Sequence, residues 1–86
     1  MKLTTSQAVS ILLYHGHICE AFYTRFKRPY YGVYQTIGTL RQIGHITQKQ
    51  FQEMLKADLI EQDGTRTDKY GNIYHYYSIP SKEDPK

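Results

Sequence analysis

Cysteine is nearly absent from this 86-residue sequence: Cys19 is the only one, so the chain cannot form an internal disulfide bond, as is typical of proteins from reducing compartments. No apolar run approaches the length of about 18 residues that a membrane-spanning helix needs. No signal-peptide pattern follows Met1 and Lys2. We therefore expect a soluble cytoplasmic protein with no membrane partner.

Motifs for catalysis or cofactor binding are also missing. The sequence has no glycine-rich phosphate loop, and its acidic residues lie mostly where helix surfaces and turns would place them. His15, His17 and Cys19 are residue types that bind zinc, but on a helix His17 would point away from the other two. A thiol on an apolar helical face is usually inert. We expect no metal site, no cofactor and no enzymatic activity.

Acidic residues are absent from one long segment. No Asp or Glu lies between Ala21 and Gln52, and the cations of that segment are Arg25, Lys27, Arg28, Arg41 and Lys49. A segment with charge of one sign attracts polyanions, and phosphate contacts supply most of the nonspecific affinity of proteins for DNA. The excess of cations therefore favours a nucleic-acid partner, although the alternative is ordinary solvated charge.

Two segments in the first half have apolar residues at helical spacing. The first covers residues 5–26 and follows a capping box formed by Thr4 and Gln7. Gly16 lies inside it, so this segment is either one long helix or two pieces broken near that glycine. The second covers residues 31–43, and Gly44 is a natural helix stop. The pattern predicts two helices before residue 45.

The second half predicts a helix followed by a β-hairpin. Thr47 and Gln50 form a capping box, and apolar residues then lie on one side of a helix over residues 47–57. Leu59 begins the first strand of a hairpin over residues 59–79, in which Asp63-Gly64 and Gly71-Asn72 are turn signals. The second strand, over residues 73–79, is β-branched and aromatic.

The junction between this helix and hairpin carries a resemblance to a known family. Phe51-x-x-Met54-x-x-x-Asp58-Leu59-Ile60 resembles the phrase that ends the third helix of winged helix-turn-helix proteins, with Asp58 in place of their glycine. Ile37-x-x-Leu40-x-x-x-Gly44-His45-Ile46 also fits and resembles the recognition helix of PadR-like regulators. Because the hairpin follows Leu59, residues 47–57 are preferred as the third helix.

The resemblance implies an α+β fold, a three-helix winged helix-turn-helix with a C-terminal β-hairpin wing. This single domain would occupy residues 1–80, and residues 81–86 would be a disordered tail. The function it implies is sequence-specific binding of double-stranded DNA by a small transcriptional regulator, located at the nucleoid. Helix 47–57 would enter the major groove, with the hairpin 59–79 beside the backbone.

Such a docking mode selects eleven candidate DNA-binding residues. They lie in the cationic segment, on the third helix and on the wing: Arg25, Lys27, Arg28, Arg41, Gln48, Lys49, Gln50, Gln52, Arg66, Lys69 and Tyr70. Glutamine can pair with adenine, and lysine or arginine with guanine or phosphate. Because one domain of this kind contacts only a short site, a homodimer formed through the N-terminal helix is expected.

A protein-binding module is the alternative function. The sequence has nine tyrosines, which suit interfaces because each buries a ring and keeps a hydroxyl for hydrogen bonding. Acidic residues, among them Glu53, Asp63 and Asp68, are interspersed on the predicted helix and wing. The chain would then be an adaptor, or an inhibitor of a host protein, that uses its tyrosine-rich surface.

Overall fold

The computed structural model describes residues 1–80, which form two helices and one five-stranded sheet. The strand order across the sheet is β3-β2-β1-β5-β4, and every neighbouring pair is antiparallel. In chain order the elements are α1 (Thr5–Leu13), β1 (Gly16–Phe22), β2 (Tyr30–Ile37), β3 (Thr39–Ile46), α2 (Gln48–Lys56), β4 (Glu61–Thr67) and β5 (Ile73–Ser78). Neither α1 nor α2 is long and apolar enough to span a membrane.

The first helix begins where the sequence predicts and ends much earlier. Thr4 caps α1 in a capping box with Gln7, which confirms the predicted start. The helix stops at Leu13, not at residue 26, because His15 takes a positive φ of 62° and redirects the chain into β1. From Gly16 onward, successive side chains point to opposite faces of a strand, and residues 18–21 are buried on both faces, so the helical spacing in this segment was misleading.

The helix predicted over residues 31–43 is wrong, because this segment forms the hairpin of β2 and β3. Gly38 supplies the turn with a φ of 79°, a backbone conformation that L side chains rarely adopt. Tyr31 and Val33 are buried on the side of the sheet that packs against the helices. No helix among residues 1–80 is therefore positioned to form a helix-turn-helix with α2.

The prediction for α2 is confirmed: the helix begins after Thr47, whose hydroxyl accepts from the backbone N–H of Gln50, and ends at Lys56. The second strand of the hairpin is also confirmed, as β5. The Asp63-Gly64 signal, however, marks a β-bulge inside β4 and not a turn. Since β5 lies between β1 and β4, the hairpin is part of the sheet, and the predicted winged helix-turn-helix is wrong. The predicted tail over residues 81–86 lies outside the described residues.

The core lies between the helices and one face of the sheet. Leu12 of α1 and Met54 of α2 pack in the same buried cluster as Ile18 of β1. Glu20 is buried in this layer with 8% exposure and accepts hydrogen bonds from the hydroxyls of Tyr31, at 2.7 Å, and Tyr77, at 3.3 Å. A buried carboxyl group is tolerated when it has hydrogen-bond partners. Through these two bonds Glu20 of β1 links β1 to the adjacent strands β2 and β5.

An arrangement of helix, strand and strand occurs twice in the chain. The units α1-β1-β2 and α2-β4-β5 each begin with a threonine-glutamine capping box, at Thr4 and Thr47, followed by a helix of 9 residues. A residue with positive φ follows each helix, His15 with 62° and Asp58 with 59°. The strand pairs of the two units lie side by side through the pairing of β1 with β5, and β3 is the edge strand next to β2.

Candidate functional site

The sheet has one face that no other element of residues 1–80 covers. Because successive side chains of a strand point to opposite faces, the residues that alternate with the core residues project from this side. We call it the open face and define it by residues of four strands: His17, Cys19 and Ala21 of β1, Tyr30, Gly32 and Tyr34 of β2, Tyr74 and Tyr76 of β5, and Arg66 of β4.

Small residues form the centre of the open face and larger ones surround them. Cys19 pairs with Gly32 on one side and with Tyr76 on the other. Ala21, in the next row, pairs with Tyr30 and Tyr74. This register leaves a groove of about 160 Å³ between the rings, and its lining residues are His17, Cys19, Tyr23, Tyr34, Leu40, Arg66, Tyr74 and Tyr76.

The rings of the open face contact one another. The imidazole of His17 stacks on Tyr34, with centroids 5.5 Å apart and an angle of 9° between the planes. Its other neighbour is Tyr76, at 5.8 Å in an edge-on arrangement. Tyr23, the first residue after β1, packs edge-on against Tyr74 at 6.0 Å. These contacts hold the rings in fixed orientations, which lowers the entropy cost of binding a flat ligand.

Arg66 places a positive charge at the rim of the groove. Its Nε donates a hydrogen bond to the hydroxyl of Tyr76 at 3.2 Å, and its guanidinium carbon lies 4.9 Å from the centre of the Tyr74 ring. Guanidinium has five N–H donors in a planar fork. The hydrogen bond to Tyr76 uses one of them, so Arg66 is oriented by the tyrosines and can still bind an anion.

Burial favours the uncharged forms of the His17 imidazole and the Cys19 thiol. Burial lowers the pKa of His17, and the nearby carboxylate of Asp63 only partly opposes this effect. Burial also raises the pKa of the Cys19 thiol, which makes it a poor nucleophile. The side chains of His17 and Cys19 are therefore uncharged at neutral pH. Among residues 1–80, no three His, Cys, Asp or Glu side chains are grouped to hold a metal ion.

Two loops border the open face at the end where β1 finishes. They are residues 23–29, between β1 and β2, and residues 68–72, between β4 and β5. The backbone N–H of Thr24 donates to Oδ1 of Asn72 at 2.9 Å and ties the loops together. Although desolvation raises the pKa of Asp68, hydrogen bonds from Asn72, Tyr74 and two backbone N–H groups lower it to about 2. This carboxylate is thus ionised at neutral pH and links its loop to Tyr74 of β5.

The structure separates the predicted site residues into two groups. One group lies on or beside the open face: Arg66 on β4, and Arg25, Lys27, Arg28, Lys69 and Tyr70 in the bordering loops. The other group lies away from it: Arg41 on β3, paired with Gln35, and Gln48, Lys49, Gln50 and Gln52 on α2. The amide of Gln50 already bonds Thr47 and the carbonyl of Leu3, so it serves the fold.

Of the eight residues that line the groove, only Arg66 is among the eleven predicted DNA-binding residues. The seven others were not predicted: His17, Cys19, Tyr23, Tyr34, Leu40, Tyr74 and Tyr76. No alternating pattern marks His17, because residues 18–21 after it are all buried, and the segment also has helical spacing. The positions of the tyrosines depend on how the strands pair.

Comparisons with protein-family models, with curated proteins and with solved structures give no match. The resemblance to winged helix-turn-helix regulators thus has no support beyond the short phrases that prompted it. Any functional conclusion must come from the open face and its surroundings.

Proposed function

We propose that this protein binds single-stranded nucleic acid on its open face. The observation that carries the proposal is the bare sheet surface on which Tyr34, His17, Tyr76 and Tyr74 surround a groove, with Arg66 at its rim. Unpaired bases stack on aromatic side chains of antiparallel sheets, and every base has a flat face suited to this contact. The ligand class follows from that chemistry.

The floor of the groove supports stacking. A large side chain at the position of Gly32 would crowd the tyrosines, since even a Cβ atom would lie 2.8 Å from the Tyr34 ring and 3.3 Å from the Tyr30 ring. Cys19 and Ala21 are also small. Both are buried, with 8% and 2% exposure, because the rings already cover them. A base would therefore stack on the rings and would not contact the strand backbone beneath them.

The distribution of charge supports a polyanionic ligand. Arg66 lies on the open face, and Arg25, Lys27, Arg28 and Lys69 occupy the loops at its end. Asp68, in the same region, is also charged, but its carboxylate accepts hydrogen bonds from Asn72 of its own loop and from Tyr74 of β5, and the cations outnumber it. A strand that crosses the face would meet cations as it leaves the sheet, where its phosphates gain most from them.

A single strand fits this face better than a duplex. In a duplex the flat faces of the bases are covered by their stacked neighbours, and rings on a sheet cannot reach them. The major-groove mode expected for residues 47–57 depended on a helix-turn-helix, and α2 instead packs Phe51 and Met54 into the core beneath the sheet. Double-stranded DNA is accordingly the competitor in the experiment below.

Two charge-matched variants test the proposal. Arg66→Gln and Lys49→Gln each remove one positive charge, the first on the open face and the second on α2. We expect Arg66→Gln to weaken binding of a labelled 12-nucleotide single strand by about 1–2 kcal/mol, measured by fluorescence anisotropy, and Lys49→Gln to have little effect. Wild-type protein should prefer the single strand over a duplex of the same sequence, and binding should weaken as salt rises.

Three results would contradict the proposal. The first is a preference for the duplex, the second is a larger loss with Lys49→Gln than with Arg66→Gln, and the third is no binding to either nucleic acid at low salt. The second result would place the nucleic acid on the helical side of the molecule. The third would favour a protein partner instead.

A protein partner is the second candidate, and a specific surface favours it. Leu13 and Tyr14, where α1 ends, and Ile37, at the hairpin of β2 and β3, are large apolar residues with 68%, 62% and 59% exposure. The backbone N–H of Thr36 donates to the carbonyl of His15, so this end of α1 and the hairpin are adjacent. A single strand on the open face would not use these side chains. A protein complex through them should persist at high salt.

The predicted homodimer stays a prediction. The N-terminal helix, expected to form the dimer contact, places Ala8 and Leu12 in the core of the subunit and leaves Leu13 exposed at its end. A dimer through α1 would therefore use its exposed residues.

A further inference from the structure

Phe26, in the loop between β1 and β2, lies between two open hollows and is 65% exposed. Each hollow has a volume of about 570 Å³. The first is lined by Tyr23, Phe26, Lys27, Arg28, Pro29 and Tyr30, and the second by Tyr23, Thr24, Arg25, Phe26, Tyr70 and Asn72. Both combine aromatic rings with at least one cation, and neither is lined by an Asp or Glu from residues 1–80.

Local contacts hold Phe26 in this position. Its backbone N–H donates to the carbonyl of Tyr23 at 3.1 Å, and the two rings meet edge-on with centroids 6.0 Å apart. Tyr23 in turn contacts Tyr74 of the open face. The aromatic surface is thus continuous from the Arg66-Tyr74 pair, through Tyr23, to Phe26.

We propose that the two hollows bind two successive nucleotides of one single strand, with Phe26 between their bases. This inference rests on the proposed function and extends it, because it sets the path of the strand: off the open face and over the β1–β2 loop. Aromatic walls match the bases, and the cations Arg25, Lys27 and Arg28 match the phosphates. The continuity of the rings from Tyr74 to Phe26 argues for the same strand in both places.

The length of the bound strand tests this path. Four-stranded sheets that bind RNA stack two or three bases, so the open face should bind about three nucleotides and the loop about two more. Affinity of the wild-type protein for oligothymidylates of 3 to 12 nucleotides, measured by anisotropy with competing unlabelled strands, should rise up to a length of about five. For Phe26→Ala the rise should stop at about three.

Two further variants control for the loss of an exposed ring. Phe26→Ala should bind the 12-nucleotide strand about tenfold more weakly than wild type, the size expected for one lost stacking contact. Phe26→Tyr keeps a ring that can stack, so its affinity should stay within about twofold of wild type. Tyr14→Ala removes a ring of similar exposure, 62%, from the end of α1 and should bind like wild type.

The outcomes separate this inference from the proposed function. If Phe26→Ala binds every length as wild type does, the loop path is wrong and the open face alone holds the strand. If Phe26→Ala loses the same factor at every length, Phe26 belongs to the minimal site and the extension by two nucleotides is wrong. If wild type binds none of the strands, both proposals fail. Thermal unfolding of Phe26→Ala should match wild type, because the side chain is exposed.

Discussion

His17 connects the chemistry of the open face to the stability of the fold. Its imidazole is held against Tyr34 and Tyr76, where burial favours the neutral ring. A neutral ring stacks without repelling Arg66, which lines the same groove. The same burial means that protonation of His17 must oppose folding, and this consequence can be measured without any ligand.

The stability of the protein should therefore fall in mild acid. Because the pKa of His17 in the folded protein lies below its ordinary value of 6.5, the unfolded chain binds more protons once the pH drops below 6.5. The free energy of unfolding should decrease from there until the pH passes the folded pKa. Urea unfolding between pH 7.5 and 5 should show a smaller decrease for His17→Gln. Equal decreases in the two proteins would mean that the imidazole is not desolvated.

The junction between α1 and β1 shows why the helical spacing of residues 5–26 does not produce one helix. The chain reverses at His15, and Gly16 then passes so close to the last turn of α1 that a Cβ atom on it would lie 2.3 Å from the carbonyl oxygen of Ile11. Gly16, which would weaken the interior of a helix, is the residue whose small size lets the chain turn back past the end of α1. The corresponding junction in the second unit follows α2, and there Asp58 takes the positive φ, as His15 does after α1.

Gly16→Ala should consequently destabilise the protein. The added methyl group meets backbone and not a flexible side chain, so α1 or β1 must shift, at a cost of about 1–3 kcal/mol. Ser10→Ala, at an exposed position of the same helix, should change stability by less than about 0.5 kcal/mol. The free energy of unfolding from urea titrations measures both. A neutral Gly16→Ala would show that the junction relaxes without strain.

The whole molecule differs from a winged helix in the role of its C-terminal hairpin. A wing would project from a helical core, whereas β5 joins the two repeated units by pairing with β1. Tyr77 of β5 is in the core cluster and donates to Glu20 of β1. The hairpin is therefore a structural half of the sheet.

Hydrogen exchange should reflect this arrangement. Amides of β1 and β5 lie inside the sheet with a strand on each side, and they should exchange slowest, near the rate of global unfolding. The exposed edge strand β4, in which all seven residues are exposed, should exchange faster. Mass spectrometry of fragments covering residues 16–22 and 73–78 measures this. Fast exchange over residues 73–78 would indicate a peripheral hairpin.

Features that depend only on neighbouring residues could be predicted from the amino-acid sequence. Both capping boxes, at Thr4 and Thr47, need contacts over three positions only, and so they could be predicted together with α2 and β5. The cationic character of residues 21–52 also follows from composition. Arg25, Lys27 and Arg28 were accordingly among the predicted site residues, and Arg66 and Lys69 were predicted from the hairpin, although the surface that unites them was not predicted.

Which residues share a face depends on contacts between distant parts of the chain. The segment over residues 16–22 has helical spacing and no alternation of apolar and polar residues, and it becomes a strand because β2 and β5 supply its hydrogen bonds from distant positions. Strand pairing then sets the open face, since a shift of one residue would send Tyr34 and Tyr76 into the core. Local sequence holds the capping signals, but the register that assembles the groove arises from contacts between strands far apart in the chain.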